Sequence, residues 1–287
     1  MAAERAFAEA AAAYRQGDLA RAERRLARLR RSLPDHPDVL HLLGVVLLAA
    51  GGPEEAAKSL GRALRAAENA PRPDILAGVL TALGSALRRC ERAEEAAGVL
   101  GRAAILAPRD ADIHFNLGNA LWDLGRFADA TVRFRAAAEL APSDPAIRVS
   151  LGEARARGGD DDGAAEAYAA AVALDPSHAK AHASLGGVLI HKHDIARARA
   201  ALDKALALDP DFAEAHHNLA TSYLALGRDE EAVAAFQEAL KTDPKHLPSL
   251  YDLAHLYSRI GEKEKAAEAF CRFVKEGKES YPDEVRL

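Results

Sequence analysis

Apolar positions recur along this chain at two scales. Within short stretches they follow the three-to-four-residue spacing of amphipathic helices. Across longer ones they repeat every 34 residues. Pro108, Pro142, Pro176, Pro210 and Pro244 keep that step, as do Ala96, Ala130, Ala164, Ala198, Ala232 and Ala266. Upstream, Ala22 and Ala56 are 34 apart, but Ala56 to Ala96 is 40, as is Gly44 to Gly84. Six extra residues therefore lie between Ala56 and Gly84, in the stretch containing "ENAPRPD".

Two of these segments, "ADIHFNLGNALWDLGRFADATVRFRAAAELAP" and "AEAHHNLATSYLALGRDEEAVAAFQEALKTDP", match at 11 of 32 positions. Each predicts two amphipathic helices. The first stops near Gly125 or Gly227, glycine suiting a left-handed helix end. The second stops near Pro142 or Pro244, which cannot continue the hydrogen-bond ladder. Neither helix can bury its stripe alone, so successive segments must stack. Leu117 recurs as Leu43, Leu83, Leu151, Leu185, Leu219 and Leu253. The next position is Gly118 or another glycine, then Ala220 and Ala254. The Ala130 position is alanine eight times. The Phe134 position is always large: Leu26, Leu60, Leu100, Tyr168, Leu202, Phe236 and Phe270. Small facing large predicts close helix packing, with axes about 8–10 Å apart.

The period, the Leu117-Gly118 pair, Ala130, Phe134, Ala137 and Pro142 resemble the tetratricopeptide repeat family. Eight units follow, roughly 3–36, 37–76, 77–110, 111–144, 145–178, 179–212, 213–246 and 247–280, with 281–287 a tail that could begin a short capping helix. The resemblance implies an all-α fold, an α-α superhelix whose first helices line a concave groove. Glu9 stands in the leucine position of the first unit, so its first helix is expected to be shifted or frayed. The last unit has Phe273 for the alanine and Lys278 where proline is expected.

The family resemblance implies groove-facing residues. In the fourth unit these are Phe115, Asn116, Asn119, Trp122 and Asp123, with Glu153 and Arg157 in the fifth and Lys180 and His191 in the sixth. The seventh offers Glu214, His217, Asn218 and Thr221, and the eighth Tyr251, His255 and Arg259. Asn116 and Asn218 fall where O-GlcNAc-transferase-like arrays carry an asparagine ladder that grips peptide backbone, but Ser150, Ser184 and Asp252 interrupt it. A carboxylate clamp needs basic residues in the Phe115 column, which instead holds Val149, Ala183, His217 and Tyr251; a terminal carboxylate would lack its charge partners. Trp122 is either a partner anchor or a packing residue. Val45 and Leu48 make an apolar face on the second unit that favours packing between first helices.

The adjacent His216 and His217 invite a metal reading. They point about 100° apart around a helix, and His114, His182 and His216 belong to different units. Zinc needs nitrogen ligands about 2.0–2.1 Å away. His216 is therefore expected to be a spacer at the unit junction and His217 to face the groove. "GGDDDG" lacks the ligand alternation of a calcium loop and reads as a turn and helix cap, its acids favouring the helix dipole. "IHKHD" is likewise a turn. No metalloprotease, serine-elbow or phosphate-loop pattern occurs.

Composition adds limits. Hydrophobic residues make up 49% but aromatics only 5%, which suits many thin helix contacts. Residues 1–110 carry a net +3 and 111–287 a net −8, unlike a strongly basic nucleic-acid binder. Arg21, Arg24, Arg25 and Arg28 share one face of an outer helix, which reads as solvated. Cys90 and Cys271 suggest no disulfide framework. Glu4, Arg5 and Glu9 interrupt any signal-peptide core. The most apolar run, Val39 to Ala50, is 12 residues, where a membrane span needs about 20. The expectation is a cytoplasmic, non-enzymatic interaction scaffold, without cofactor or metal, holding a protein or peptide segment across units four to eight. A regulatory subunit of an enzyme complex and a self-assembling homo-oligomer are the alternatives.

Overall fold

The computed structural model describes residues 2–69 and 72–280, side chains as far as Gly277, and shows sixteen α-helices among them. They pair as hairpins, one per repeat. Repeat 1 holds α1 (Ala2–Arg15) and α2 (Leu19–Ser32), and repeat 2 holds α3 (Pro37–Ala49) and α4 (Pro53–Asn69). α5 (Pro73–Arg89) and α6 (Ala93–Leu106) follow, then α7 (Ala111–Asp123) and α8 (Phe127–Leu140). Next come α9 (Pro145–Arg157) with α10 (Asp161–Leu174) and α11 (Ala179–His191) with α12 (Ile195–Leu208). α13 (Ala213–Ala225) pairs with α14 (Asp229–Thr242), and α15 (Leu247–Arg259) with α16 (Lys263–Ser280). The chain divides into two compact units, Met1–Ser143 and Asp144–Leu287. In each, a hairpin packs on its neighbours, and first helices touch first helices: α3 with α5, α5 with α7, α9 with α11, α11 with α13. The tail 281–287, with its expected cap, lies outside the described residues.

The small-on-large pairing organises the core. All eight alanines of the Ala130 column are buried. One turn further along the same helices, Leu26, Leu60, Leu100 and Phe134 in the first unit, and Tyr168, Leu202 and Phe236 in the second, are buried as well. A methyl group built on Gly44 would lie 2.4 Å from Leu60 Cγ; on Gly118 or Gly152 it would lie 2.7 Å from the ring of Phe134 or Tyr168. The glycines therefore sit where the large residue occupies the space of a side chain. Ala220 and Ala254 take this position in repeats 7 and 8 and are fully buried.

The six-residue insertion is absorbed as helix. α4 and α5 each run 17 residues, against 14 for α6 and 13 for α7. Arg72, at the N-cap of α5, ties α3 to α5 by ion pairs to Asp38 (3.2 Å) and Asp74 (2.7 Å). A second lengthening occurs at α16, which lacks the stopping proline and extends to 18 residues.

Repeat 1 corrects an expectation. Its first helix is neither shifted nor frayed: α1 is continuous, with Ala10 and Ala13 buried. Glu9 fills the leucine position by pairing with Arg25 of α2 and with Arg5. Those hydrogen bonds hold its carboxyl below the usual range, Arg25 contributing most.

Each hairpin turn needs one left-handed residue. Gly125 has φ 69°, and Arg126 N–H closes the helix end on Leu121 O at 2.9 Å, a Schellman-type stop. The same position is Glu91 (φ 59°) in repeat 3 and His193 (φ 58°) in repeat 6, where a side chain is strained. Caps start the helices. Asp110 and Asp144 accept two backbone N–H groups each, and His178 and His246 serve in the same column through ring nitrogens. Asp160, in "GGDDDG", caps α10 by accepting from Gly163 N–H at 2.9 Å.

Two outcomes follow. Gly118→Leu should cost about 1–3 kcal/mol through overpacking against Phe134, read as a lower urea midpoint, and shortening Phe134 in the same chain should recover part of it. Glu91→Gly should raise stability by about 0.5 kcal/mol, the relief of left-handed strain exceeding the entropy cost of glycine; an unchanged or lower midpoint would contradict the strain.

Candidate functional site

The histidine pair resolves into two roles. His216 Nε2 meets the carbonyl oxygen of Pro210 at 2.8 Å. His182 does the same with Pro176 (3.1 Å) and His114 with Pro108 (3.0 Å). Each ring thus ties a first helix to the proline that ends the preceding second helix, a junction spacer as the spacing implied. His217 turns the other way, onto the ring of Phe236 (centroids 5.5 Å). Its side chain is only 15% exposed, so it is largely packed rather than open on the groove face.

In the first unit the candidates on α7 form a half-buried face. Phe115 lies against Phe134, with ring centroids 5.7 Å apart. Asn116 spends its amide on its own helix, donating to Asp112 O at 2.8 Å. Asn119 is half-buried. Trp122 packs edge-on against Phe127, the first residue of α8, at 4.9 Å, so its ring is supported by its own repeat. Asp123 pairs with Arg88 of α5. Val45 and Leu48 on α3 are half-buried, and Arg89 of α5 donates to Leu48 O at 2.8 Å.

In the second unit, Glu153 on α9 pairs with Lys180 on α11 at 2.6 Å. Glu214 on α13 belongs to the same group. Desolvation by its surroundings pushes its carboxyl above the usual range, with Lys180 pulling it down and Glu153 pushing it up. Arg157 is exposed. Exposed His191 lies 3.9 Å from Asp161, and Arg259 lies 2.5 Å from Asp229. Asn218 donates to Ala183 O of α11 at 3.4 Å, and Thr221 to His217 O within α13. On α15, Tyr251 is 46% exposed. Its ring meets His255 at 4.4 Å and Phe273 of α16 at 5.4 Å, and His255 in turn meets Phe270.

Sequence reasoning missed the network behind His217. Ser249, buried at the start of α15, joins His217 Nδ1 (3.2 Å) and His246 Nδ1 (2.8 Å). Burial pushes the His217 imidazole down to about 4, and neighbouring His246 adds to this. The available signal was the cap column, in which His246 stands 34 residues on from Phe212 and 68 from His178. Among the described residues no three His, Cys, Asp or Glu side chains are placed to hold a metal ion. Burial raises the Cys90 thiol, leaving it an unactivated nucleophile. No described helix is long and apolar enough to cross a membrane.

The sequence model of the tetratricopeptide repeat matches residues 7–71, 81–131, 118–179 and 184–246, and a second model of that repeat matches 235–268. The chain belongs to the tetratricopeptide repeat family. Tetratricopeptide repeat proteins bind proteins or peptides and generally serve as scaffolds. No curated protein matches the chain by sequence. Solved structures share its fold. YrrB, described as a tetratricopeptide protein with an unusual peptide-binding site, is 18% identical with TM-score 0.55, covering 66% of this chain and 96% of its own. A chain of the Cut9-Hcn1 hetero-tetramer of the APC/C is 18% identical with TM-score 0.63; 93% of this chain spans 51% of that one. TTC0263, a thermophilic tetratricopeptide protein of Thermus thermophilus, is 26% identical with TM-score 0.51, covering 63% and 98%.

The Glu153–Lys180–Glu214 group makes an electrostatic prediction. Glu153→Gln should bring the Glu214 carboxyl down towards its ordinary range, and Lys180→Met should send it higher, because the first removes a like charge and the second an opposite one. Carboxyl NMR titration of both variants reads the two signs; movement in the same direction would contradict the arrangement.

Proposed function

We propose that the chain is a non-catalytic scaffold that holds an extended peptide segment of a partner protein along the first helices of its second unit. The observation that carries this reading is the α15 face. Tyr251 stands nearly half in the open while its ring is held by His255 and Phe273. A pre-ordered aromatic loses little freedom when it makes a contact, and aromatic anchors dominate binding energy at such surfaces. His255 and Arg259 extend the face by one and two helix turns. Glu153 and Lys180 are already paired with each other, so they set charge preference at the edge rather than supply the main anchor. The peptide-binding site named for YrrB supports a peptide ligand for this fold, without placing it on these residues.

A second reading, self-association, is favoured by one observation. The outer helices of the first unit leave Ile105 80% and Val132 57% exposed, large apolar groups of the kind that mark contact surfaces when they adjoin one another.

Peptides selected on the intact protein from a random display library test the first reading. Tyr251→Ala and His255→Ala should each weaken the selected peptides at least about tenfold, or 1.4 kcal/mol, in chains that keep the parent's helical circular dichroism. Peptides indifferent to both substitutions would overturn it.

A further inference from the structure

Repeats 7 and 8 meet through a chain of polar groups that allows only one arrangement of protons. His246 precedes α15, and its Nδ1 accepts from Ser249 backbone N–H at 3.3 Å, forming the helix N-cap. That nitrogen must therefore carry no proton. The Ser249 hydroxyl lies 2.8 Å from the same nitrogen and 3.2 Å from His217 Nδ1. Its one hydrogen goes to His246, so His217 must donate to the Ser249 oxygen through Nδ1–H. The other nitrogen of His217, Nε2, faces Asp252 Oδ2 at 3.8 Å, beyond hydrogen-bond reach. Ser249 is fully buried, the His217 side chain is 15% exposed, and the two imidazole centroids lie 5.4 Å apart. A second proton on His246 turns the cap acceptor into a donor and sets a positive charge at a helix N-terminus, where the dipole opposes it. A second proton on His217 places a cation against the Phe236 ring and beside the other imidazole.

We infer that the His217–Ser249–His246 chain is an acid-sensitive clasp, which holds repeat 8 on repeat 7 at neutral pH and loosens it as the imidazoles take up protons. The charged groups around it fit that direction. Burial lowers both imidazoles, with His246 acting further on His217 and Asp243 partly restoring His246. On α15, desolvation raises the Asp252 carboxyl and His255 pulls it back. From α14 the facing group is the Phe236 ring. On α11 and α12, Lys180 acts on Glu214 and Arg199 lies over the Tyr223 ring, 4.9 Å from its centroid. The sign follows from linkage. A histidine whose folded pKa lies below its unfolded value contributes full stability above about pH 6.5 and loses it as pH falls towards the folded value. For His217 that window runs from about 6.5 down to about 4. Asp252, holding its proton more readily when folded, opposes the loss at the acid end. The steep part therefore lies above about pH 5.

The array supplies its own control residues. Aspartate fills the cap column at Asp110 and Asp144, and phenylalanine stands at Phe115 in the column of His217. Amide hydrogen exchange on the whole chain, corrected for intrinsic rates, gives the opening equilibrium of α15–α16 with Asp110-capped α7–α8 as reference. Between pH 6.5 and 5 the α15–α16 opening should rise about 15-fold or more relative to α7–α8 in the parent chain. In the His217→Phe/His246→Asp chain it should stay within about threefold of the reference. His246→Asp alone should remove part of the rise, which keeps the test open if the double variant does not fold. Parallel exchange of α15–α16 and α7–α8 in the parent chain, or an undiminished rise in the variants, would overturn the clasp.

Discussion

The contact between a residue with almost no side chain on one helix and a bulky one on the next carries the rest of this structure. Gly118 against Phe134 and Gly152 against Tyr168 let two helices approach until the ring occupies the space of the missing side chain. Burying a side chain of that size is worth about 1.5–3 kcal/mol, and the pairing recurs in hairpin after hairpin. The polar contacts of the repeat are each smaller. Surface ion pairs contribute about 0–1 kcal/mol each, and a helix cap typically about 1 kcal/mol.

The weaker contacts do a different job: they join one hairpin to the next. Rings at His114, His182 and His216 reach the carbonyl of the proline that closes the preceding repeat. Ion pairs span neighbouring repeats at Arg88–Asp123, Lys180–Glu153 and Arg259–Asp229. These bonds are directional, so they align neighbouring hairpins where apolar packing alone tolerates sliding. They also consume much of the charge on the first-helix faces. What stays available to a partner on α15 is an aromatic surface, Tyr251 with His255, and this is why binding is proposed there rather than at the charged groups.

The places where the repeat pattern is broken carry physical information. Glu9 replaces a leucine and is compensated across the hairpin by Arg25. Glu91 and His193 hold left-handed turn positions that glycine fills elsewhere. His246 replaces an aspartate cap and thereby makes one helix start depend on an imidazole being neutral. In each case the backbone geometry is imposed by the surrounding stack, and the local residue accommodates to it.

The amino-acid sequence by itself determined the helical hairpins, their number, the insertion before Gly84 and the alanine, glycine and large-residue columns. Those depend on covalent spacing, which places residues 34 apart at equivalent points of equivalent hairpins. It also placed His216 at a junction, since side-chain direction on a helix follows from position alone. Only the tertiary structure decided that Asn116 bonds to its own helix, that Trp122 rests on Phe127, and that His217 is packed against Phe236 and joined to Ser249. Rotamer choice depends on which neighbours the fold supplies, for His217 as far off as Ser249, and on fractions of an ångström, and hydrogen bonds require that precision.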